Sequence, residues 1–230
     1  MVDRQARRWL TEESALSVLL ALLVVRLFVV PPLVAGGSLS ASLLPGLLGA
    51  TLMVGILVVT RERRLTIAWM CLVVESITVK AAARSGAGYP TLERLADAID
   101  TLTLLAITSA LLVHVNRRGT VSGHRIRGAI AGYLLLAGVF SSAYQMLERA
   151  APGSFTGGAT PVVLDERQEE LFYFAMVTLT TTGYGDITPA SPAARSLAML
   201  EALIGQLYPT ILIARLVTLE LESRRTRSAE

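Results

Sequence analysis

The sequence predicts an all-α transmembrane protein with six membrane spans and a shorter, re-entrant helix that ends in a glycine-rich loop. The first observation behind this prediction is composition: 53% of the residues are hydrophobic and the mean hydropathy is +0.56, which excludes an ordinary soluble domain. The second is a series of apolar runs long enough to cross the hydrocarbon core. The third is a short apolar segment followed by Thr-Thr-Thr-Gly-Tyr-Gly-Asp at residues 180–186.

The charge distribution indicates a lipid surface as the partner of the basic residues. The chain has 21 Lys and Arg against 18 Asp and Glu. The basic residues lie in short clusters that flank the apolar runs, which is typical of membrane anchoring and not of a nucleic-acid groove, so no nucleic-acid partner is expected. Cys71 is the single cysteine. Because phosphate-binding loops, metal-spaced histidines and nucleophile arrangements are also missing from the sequence, we expect neither an enzyme nor a cofactor.

The apolar runs predict six spans, each near the length of about 20 residues that a transmembrane helix needs. The first four are expected to form a membrane domain over residues 13–118, after a cytoplasmic N-terminus at residues 1–12. The six runs lie at Ser14–Val34, Ala41–Thr60, Leu65–Ala83, Leu95–Val115, Gly128–Leu147 and Arg195–Leu219.

Between the fifth and sixth runs, the apolar segment Gln168–Leu179 is too short to cross a bilayer. It leads into the glycine-rich loop, and irregular backbone at membrane depth is tolerated only where it is buried in protein or lines a water-filled path. The segment is therefore predicted to be a re-entrant half-helix. Ala150–Gln168, which is rich in Gly and Pro, is predicted to be an extracellular turret that precedes it.

Arginine clusters predict that both termini face the cytoplasm. The clusters lie before the first run, between the second and third, between the fourth and fifth, and after the sixth, while the alternate loops carry fewer basic residues. This orientation puts Asp186 on the outer side of the membrane. We expect an integral protein of a bacterial inner (plasma) membrane. Residues 220–230 are expected to form a cytoplasmic tail too short for a soluble regulatory domain.

The glycine-rich loop has the chemistry of a potassium site. Four copies of Thr-x-Gly-Tyr-Gly around one axis can turn their main-chain carbonyls inward and replace the water shell of K⁺. Glycine is needed at Gly183 and Gly185 because such stacking requires left-handed or strained backbone at alternate positions. Thr181 can add a hydroxyl oxygen at the inner mouth, and Asp186 can raise the cation concentration at the outer mouth. Tyr184 is expected to point away from the ions and brace the loop against the helix behind it.

The segment Thr178–Asp186 resembles the signature sequence of the potassium channel family, because threonines precede Gly-Tyr-Gly, an aspartate follows it, and apolar helical segments flank it. Many relatives carry Val or Ile where this chain has Thr182; the main chain still supplies the carbonyl, but the packing behind the filter differs. One loop cannot encircle an ion, so a homotetramer is expected. The resemblance implies that a filter for the conducted ion, K⁺, is formed by Thr181, Thr182, Gly183, Tyr184 and Gly185, with ion sites at the first four.

Residues 125–219 are expected to form the pore domain, and its last span carries the gating candidates. Gly205 resembles the hinge glycine that many potassium channels have at this distance from the filter; the alternative is that it permits close packing on the half-helix. Pro209 removes a helix hydrogen bond and is a second kink candidate. It is similar to the inner-helix proline of voltage-gated potassium channels, although the doubled motif is missing. Ile213 and Val217 are candidates for an apolar constriction that gates by narrowing and dewetting.

Six spans with a pore loop before the last one is also the layout of voltage-gated channels, whose fourth span carries a basic residue at every third position. The fourth run here, Leu95–Val115, contains no Arg or Lys. Each unit charge that crosses the field contributes about 2.3 kcal/mol per 100 mV, so a steep sensor needs several such charges. We therefore expect a pore without strong voltage dependence.

Ionisable residues inside predicted spans are functional hypotheses by default. Glu201 is expected to be a structural partner behind the filter, and Arg215 is expected to reach the inner interface. Arg26 and Glu75 each lie about ten residues from a cytoplasmic end of a predicted span. They are expected either to pair with each other near mid-depth or to find separate polar partners.

These patterns favour a homotetrameric potassium channel with passive conduction. A potassium transporter is one alternative, although such proteins carry several degenerate filter loops and this chain has one. A less selective cation channel is a second alternative, against which the intact Gly183-Tyr184-Gly185 argues. The third is a regulatory subunit that joins other channels and does not conduct alone.

Overall fold

A computed structural model of the chain describes residues 16–36, 47, 49–51, 53–55, 67, 70–71, 74–75, 78, 90–115, 123–158 and 164–228. These residues are mostly helical, as the sequence predicts. The chain divides into two compact units: one comprises residues 1–118 and 122–135, and the other residues 119–121 and 136–230. Most of the second and third predicted spans lie outside the described residues.

Helix α1 covers Leu16–Val34 and changes its winding in the middle. Val25–Val29 is π-helical, and an α-helical piece follows at Val30–Ala35. Two prolines, Pro31 and Pro32, stand in the first turn of that piece, where their missing N–H groups are tolerated. The π-helical turn and the prolines together are recognised causes of a local bend in a helix.

Helix α2, Pro90–Val115, contains the predicted fourth span. Leu104, Ile107 and Leu111 are buried on one of its faces, at the spacing of successive helical turns. A Cβ atom built at Gly55 would lie only 2.9 Å from Ile107 Cγ2. The helical residues around position 55 therefore pack closely against α2 within the first unit.

Three further helices follow: α3 at Gly123–Ala150, α4 at Leu164–Leu179 and α5 at Pro192–Ser228. The half-helix α4 begins four residues before the predicted start, and α5 continues as a helix beyond the predicted end of the sixth span. Among the described residues, three helices are long and apolar enough to cross a membrane, and they match the first, fifth and sixth predicted spans: Leu16–Val34, Ile126–Ala150 and Pro192–Arg215.

The second unit also contains a small sheet, so the expectation of an all-α chain is wrong in this respect. Strand β1, Phe155–Gly157, pairs antiparallel with strand β2, Ile187–Pro189, in a register that sets Gly157 opposite Ile187. Strands of three residues are too short to show an alternating apolar pattern, so the sequence carries no signal for them. We call this pair of strands the β-clip. It joins the turret to the segment directly after the glycine-rich loop.

The core of the second unit is a cluster of aromatic rings. Tyr144 on α3 lies 5.1 Å from the ring of Phe155 on β1 and 5.2 Å from that of Phe174 on α4, measured between ring centroids. The inclined geometries of these pairs are those that aromatic quadrupoles favour. Ala194 and Ala198 on α5 are buried against the same cluster. These small side chains let α5 lie close to α4 and so position the end of the half-helix.

Candidate functional site

The backbone of the glycine-rich loop alternates between left-handed and right-handed conformations. Thr181, Gly183 and Gly185 have φ angles of +58°, +58° and +79°, and Thr181 is the single non-glycine residue with positive φ in the described part of the chain. The left-handed backbone expected at the two glycines is therefore observed. Nothing lies within 4 Å of a Cβ built at either glycine, so φ, and not space within this chain, demands glycine there.

The inner end of the loop is held by the last turn of α4. The amides of Thr182 and Gly183 both donate to the Val177 carbonyl, at 2.9 and 3.3 Å, and the Thr181 amide donates to the Thr178 carbonyl at 2.9 Å. Each of these bonds spans six residues or fewer along the chain. The half-helix therefore fixes the start of the loop through main-chain groups alone.

Two threonine hydroxyls add to this attachment. Thr180 Oγ1 donates to the Met176 carbonyl at 2.8 Å, and it also lies 3.0 Å from Thr182 Oγ1. A hydroxyl has one proton, and a carbonyl can only accept. Since the Thr180 proton goes to the carbonyl, Thr182 must donate to Thr180. Thr182, where many relatives have an apolar residue, thus has a defined hydrogen-bond role.

The outer end of the loop is held differently. The Asp186 carbonyl accepts a hydrogen bond of 3.0 Å from the amide of Gly158, which directly follows β1. The phenol of Tyr173 on α4 interacts with the Asp186 side chain, and desolvation followed by this interaction raises the pKa of the phenol above its ordinary value. The main chain of Asp186 is therefore attached to the β-clip, and its side chain to α4.

All residues from 180 to 186 are exposed in a single chain. Tyr184 is 71% exposed, so the expected brace against the helix behind it is not formed within this chain. Its ring instead projects from the surface of the second unit.

Gly205 on α5 makes a backbone contact with the end of α4. A Cβ atom at this position would lie 2.0 Å from the Leu179 carbonyl oxygen, far inside van der Waals contact. Close packing on the half-helix, one of the two interpretations of Gly205, is thus observed. The hinge remains a prediction, and α5 continues as a helix through Pro209.

Two other candidates lie on the inner half of α5. The side chains of Ile213 and Val217 are 62% and 54% exposed, which leaves both available to a pore or to lipid. Their role in a constriction stays a prediction. Arg215, between them, is half-buried.

Glu201 is fully buried, with 0% of its surface exposed. Its Oε2 accepts a hydrogen bond from the hydroxyl of Tyr144, whereas Oε1 contacts no hydrogen-bond partner. The bond joins α5 to α3. Its expected role as a structural partner behind the filter stays a prediction.

Arg26 and Glu75, the two ionisable residues of the first unit that were expected to be buried, differ in their exposure. Arg26 lies in the π-helical segment of α1 and is half-buried. Glu75 is exposed within the single chain. Their pairing stays a prediction.

Sequence reasoning missed a charged cluster around β1, formed by Glu148 on α3 and by Arg167 and Glu170 on α4. The spacing of three residues between Arg167 and Glu170 is a helical ion-pair signal that could have been found. The contact with Glu148 depends on the fold and has no local signature. Within the part of the chain that the structure describes, no group of three or more His, Cys, Asp or Glu residues is placed to hold a metal ion.

Comparisons with known proteins relate part of the chain to ion channels. Residues 132–221 match the family described as Ion channel. A stretch of 73 residues is 42% identical to two pore potassium channel c of Oryza sativa subsp. japonica, covering 32% of this chain and 15% of that protein. A stretch of 79 residues is 37% identical to the inward rectifier potassium channel Kirbac3.1 of Paramagnetospirillum magnetotacticum, covering 33% of this chain and 22% of that protein.

A longer but more distant similarity is to protein LctB of Bacillus caldotenax, which is 28% identical over 121 residues, 52% of this chain and 90% of that protein. No solved structure gives a significant match. This chain aligns with between 15% and 22% of the length of the two potassium channels above. The predicted resemblance to the potassium channel family is confirmed, and the matched family is one of channels and not of enzymes.

Proposed function

Because residues 132–221 are an ion-channel module of the potassium channel family, we propose that the protein is a potassium-selective channel whose pore is formed by four copies of this chain. The observation that carries the proposal is the alternation of backbone hand at Thr181, Gly183 and Gly185. Residues that alternate between left- and right-handed conformations turn successive peptide groups to the same side, whereas strand backbone turns them to opposite sides. One side of the loop then carries a row of carbonyl oxygens.

In this proposal the carbonyls of Thr181, Thr182, Gly183 and Tyr184 form the ion sites, and Gly185 completes the filter. Carbonyl oxygens from four chains replace the hydration shell of K⁺. Ions in adjacent sites repel each other, and this repulsion moves them along the pore. Conduction is passive because the loop contains no group that couples transport to a chemical reaction. The Thr181 hydroxyl extends the row at the inner mouth.

Four copies are proposed because one loop offers oxygens on one side of an ion only. The exposure of Tyr184 supports this inference, since its ring needs an apolar partner that its own chain does not provide. A closed ring of identical chains gives every copy the same interface. In such a ring Asp186 surrounds the outer mouth, where its carboxylate attracts cations.

The remaining architecture is proposed from the sequence. Six spans with both termini in the cytoplasm, residues 13–118 as a membrane domain and residues 125–219 as the pore domain are consistent with the positions of the arginine clusters. Because Leu95–Val115 contains no Arg or Lys, this pore is not strongly voltage-gated. The inner helix bends at Gly205 or Pro209 and closes at Ile213 and Val217.

The test is ion flux into liposomes that contain the purified protein, together with its oligomeric mass in detergent. We expect a tetramer with K⁺ influx well above Na⁺ influx. Gly183→Ala should abolish selective flux because a Cβ disfavours φ of +58°, by about 1–2 kcal/mol per chain. Gly153→Ala is the matched control, since Gly153 has φ of +84° and open space around its Cβ but lies outside the loop.

Other outcomes separate the alternatives. Equal K⁺ and Na⁺ flux through a tetramer would indicate a less selective cation channel. A tetramer without flux would indicate a non-conducting subunit, provided that flux is still absent after Ile213 and Val217, the candidates for the constriction, have been substituted. A monomer in the bilayer would contradict the proposal.

A further inference from the structure

The guanidinium of Arg167 connects α4 to the turret strand. Its Nη2 donates to the Phe155 carbonyl at 2.9 Å, and its Nη1 donates to the Gly157 carbonyl at 3.2 Å and to Glu170 Oε2 at 2.8 Å. Nη2 also lies 3.6 Å from Glu148 Oε1. One planar cation thus engages two carbonyls of β1 and two carboxylates, a geometry that the donor fork of arginine matches and the single ammonium of lysine does not.

Glu148 also binds the main chain of this segment. Its Oε1 accepts from the Gly153 amide and its Oε2 from the Phe155 amide, each at 3.2 Å. Both the amide and the carbonyl of Phe155 are therefore bound to charged groups, and such hydrogen bonds are stronger than neutral ones. The charged side chains are partly buried, with 15% to 18% of their surface exposed, so solvent screens these contacts less than it does on an open surface.

The strand in turn holds the residue that follows the filter. The Gly158 amide donates to the Asp186 carbonyl at 3.0 Å, and a Cβ at Gly157 would lie 2.0 Å from that same carbonyl oxygen. A Cβ at Gly158 would lie 2.8 Å from both carboxylate oxygens of Glu170. The two glycines, with φ of +89° and +81°, therefore fit between the Asp186 main chain and the charged cluster without space for a side chain.

We propose that Arg167 is a positioning residue for ion selection: it fixes β1, and β1 fixes the outer end of the filter through Asp186. The inference rests on the proposed function, because it assigns the loop to ion conduction. Arg167 acts through the strand and touches no ion. Without the guanidinium, Glu148 and Glu170 lose their shared cation and the β1 carbonyls lose their donors, so the strand no longer holds Asp186 in place.

The experiment compares purified wild-type channels with Arg167→Met, Arg167→Lys and the control Arg149→Met. Arg149 is an exposed arginine at the end of α3. Two quantities are measured: the K⁺/Na⁺ permeability ratio from reversal potentials in planar bilayers, and the hydrogen exchange of the Gly158 amide by mass spectrometry. We expect Arg167→Met to lower the ratio and speed the exchange, each about tenfold, as loss of a charge-assisted bond implies.

Arg167→Lys should fall between Arg167→Met and wild type, because an ammonium restores the charge but not the fork. Arg149→Met should behave as wild type. If the two Arg167 variants conduct with an unchanged permeability ratio and unchanged Gly158 exchange, the proposal is wrong. A general folding role would lower the yield of tetramer but leave the ratio of the surviving channels unchanged, which also contradicts it.

Failure of the proposed function would look different. If the wild-type protein carries no selective K⁺ current, the channel assignment fails, and selection by Arg167 fails with it. Gly158 exchange would still report whether Arg167 holds the strand. If Arg167→Met does not assemble, Arg167→Lys decides the question, since a selective Arg167→Lys channel with wild-type exchange would overturn the proposal.

Discussion

The inner and outer ends of the glycine-rich loop are held in place by different means. At the inner end, main-chain amides and threonine hydroxyls bond to the last turn of α4, within a few residues of the loop. At the outer end, the Asp186 carbonyl depends on an amide contributed by the turret, which itself depends on the charged cluster around Arg167. Local attachments form together with the half-helix, whereas the distant one requires the β-clip to be assembled.

This difference teaches that the two ends can fail separately. A bond within a helix end closes a short loop at little entropic cost, while the clip must order the turret first. Perturbations at the inner end should therefore act on stability of the whole pore unit. Perturbations at the outer end should act on selectivity while the helices stay folded.

The largest effect is expected for Gly205→Ala, which acts behind the inner end. A methyl group there would lie 2.0 Å from the Leu179 carbonyl oxygen, and that oxygen belongs to helical backbone that cannot turn aside. Overpacking of this kind costs about 1–3 kcal/mol or more in each chain. We expect loss of the tetramer in detergent, measured by size-exclusion chromatography. Ala193→Val, which enlarges an exposed position at the start of α5, should leave the tetramer intact.

Gly157→Ala tests the outer end and should have the second-largest effect. The added Cβ would meet the Asp186 carbonyl at 2.0 Å, and φ of +89° adds backbone strain. The tetramer should persist, because the contacts of α4 with α5 are unchanged, while K⁺/Na⁺ selectivity falls. Gly153→Ala shares the positive φ but has open space, so it should retain selectivity. If Gly157→Ala instead dissociates the tetramer, the two ends are not independent.

The smallest effect is expected for Thr182→Val, which removes the hydroxyl that donates to Thr180 but keeps the main-chain bonds to Val177. Loss of one neutral hydrogen bond costs about 0.5–1.5 kcal/mol, which should appear as a small decrease in the temperature at which the tetramer dissociates. The control is Thr188→Val, since its hydroxyl lies 3.0 Å from that of Thr156 in the β-clip. If Thr188→Val lowers the dissociation temperature of the tetramer more than Thr182→Val does, the comparison between the two hydroxyls is reversed.

The sequence was most informative where chemistry is local. Glycine at positions 183 and 185 predicts left-handed backbone, and the structure has it. Apolar length predicts three of the helices that can span a membrane. These signals need no knowledge of what lies elsewhere in the chain.

The attachment at the outer end of the loop could not be predicted from the sequence, for a physical reason. Three-residue strands have no period, and the salt bridge of Arg167 with Glu148 joins residues that only the fold brings together. Tyr184 was expected to brace the loop against the helix behind it, but its ring is exposed in the single chain, and a sequence does not show which surface such a ring meets.

The contact between Gly205 and Leu179 has a mechanical consequence. Side chains can absorb a shift by changing rotamer, but here two main chains touch with nothing between them. A tilt of α5 at this level is passed on to the last residue of α4, one residue before the glycine-rich loop begins. In the proposed channel, where α5 lines the inner pore, such a tilt would change the geometry of the ion sites, and this contact would couple opening of the pore to ion selection.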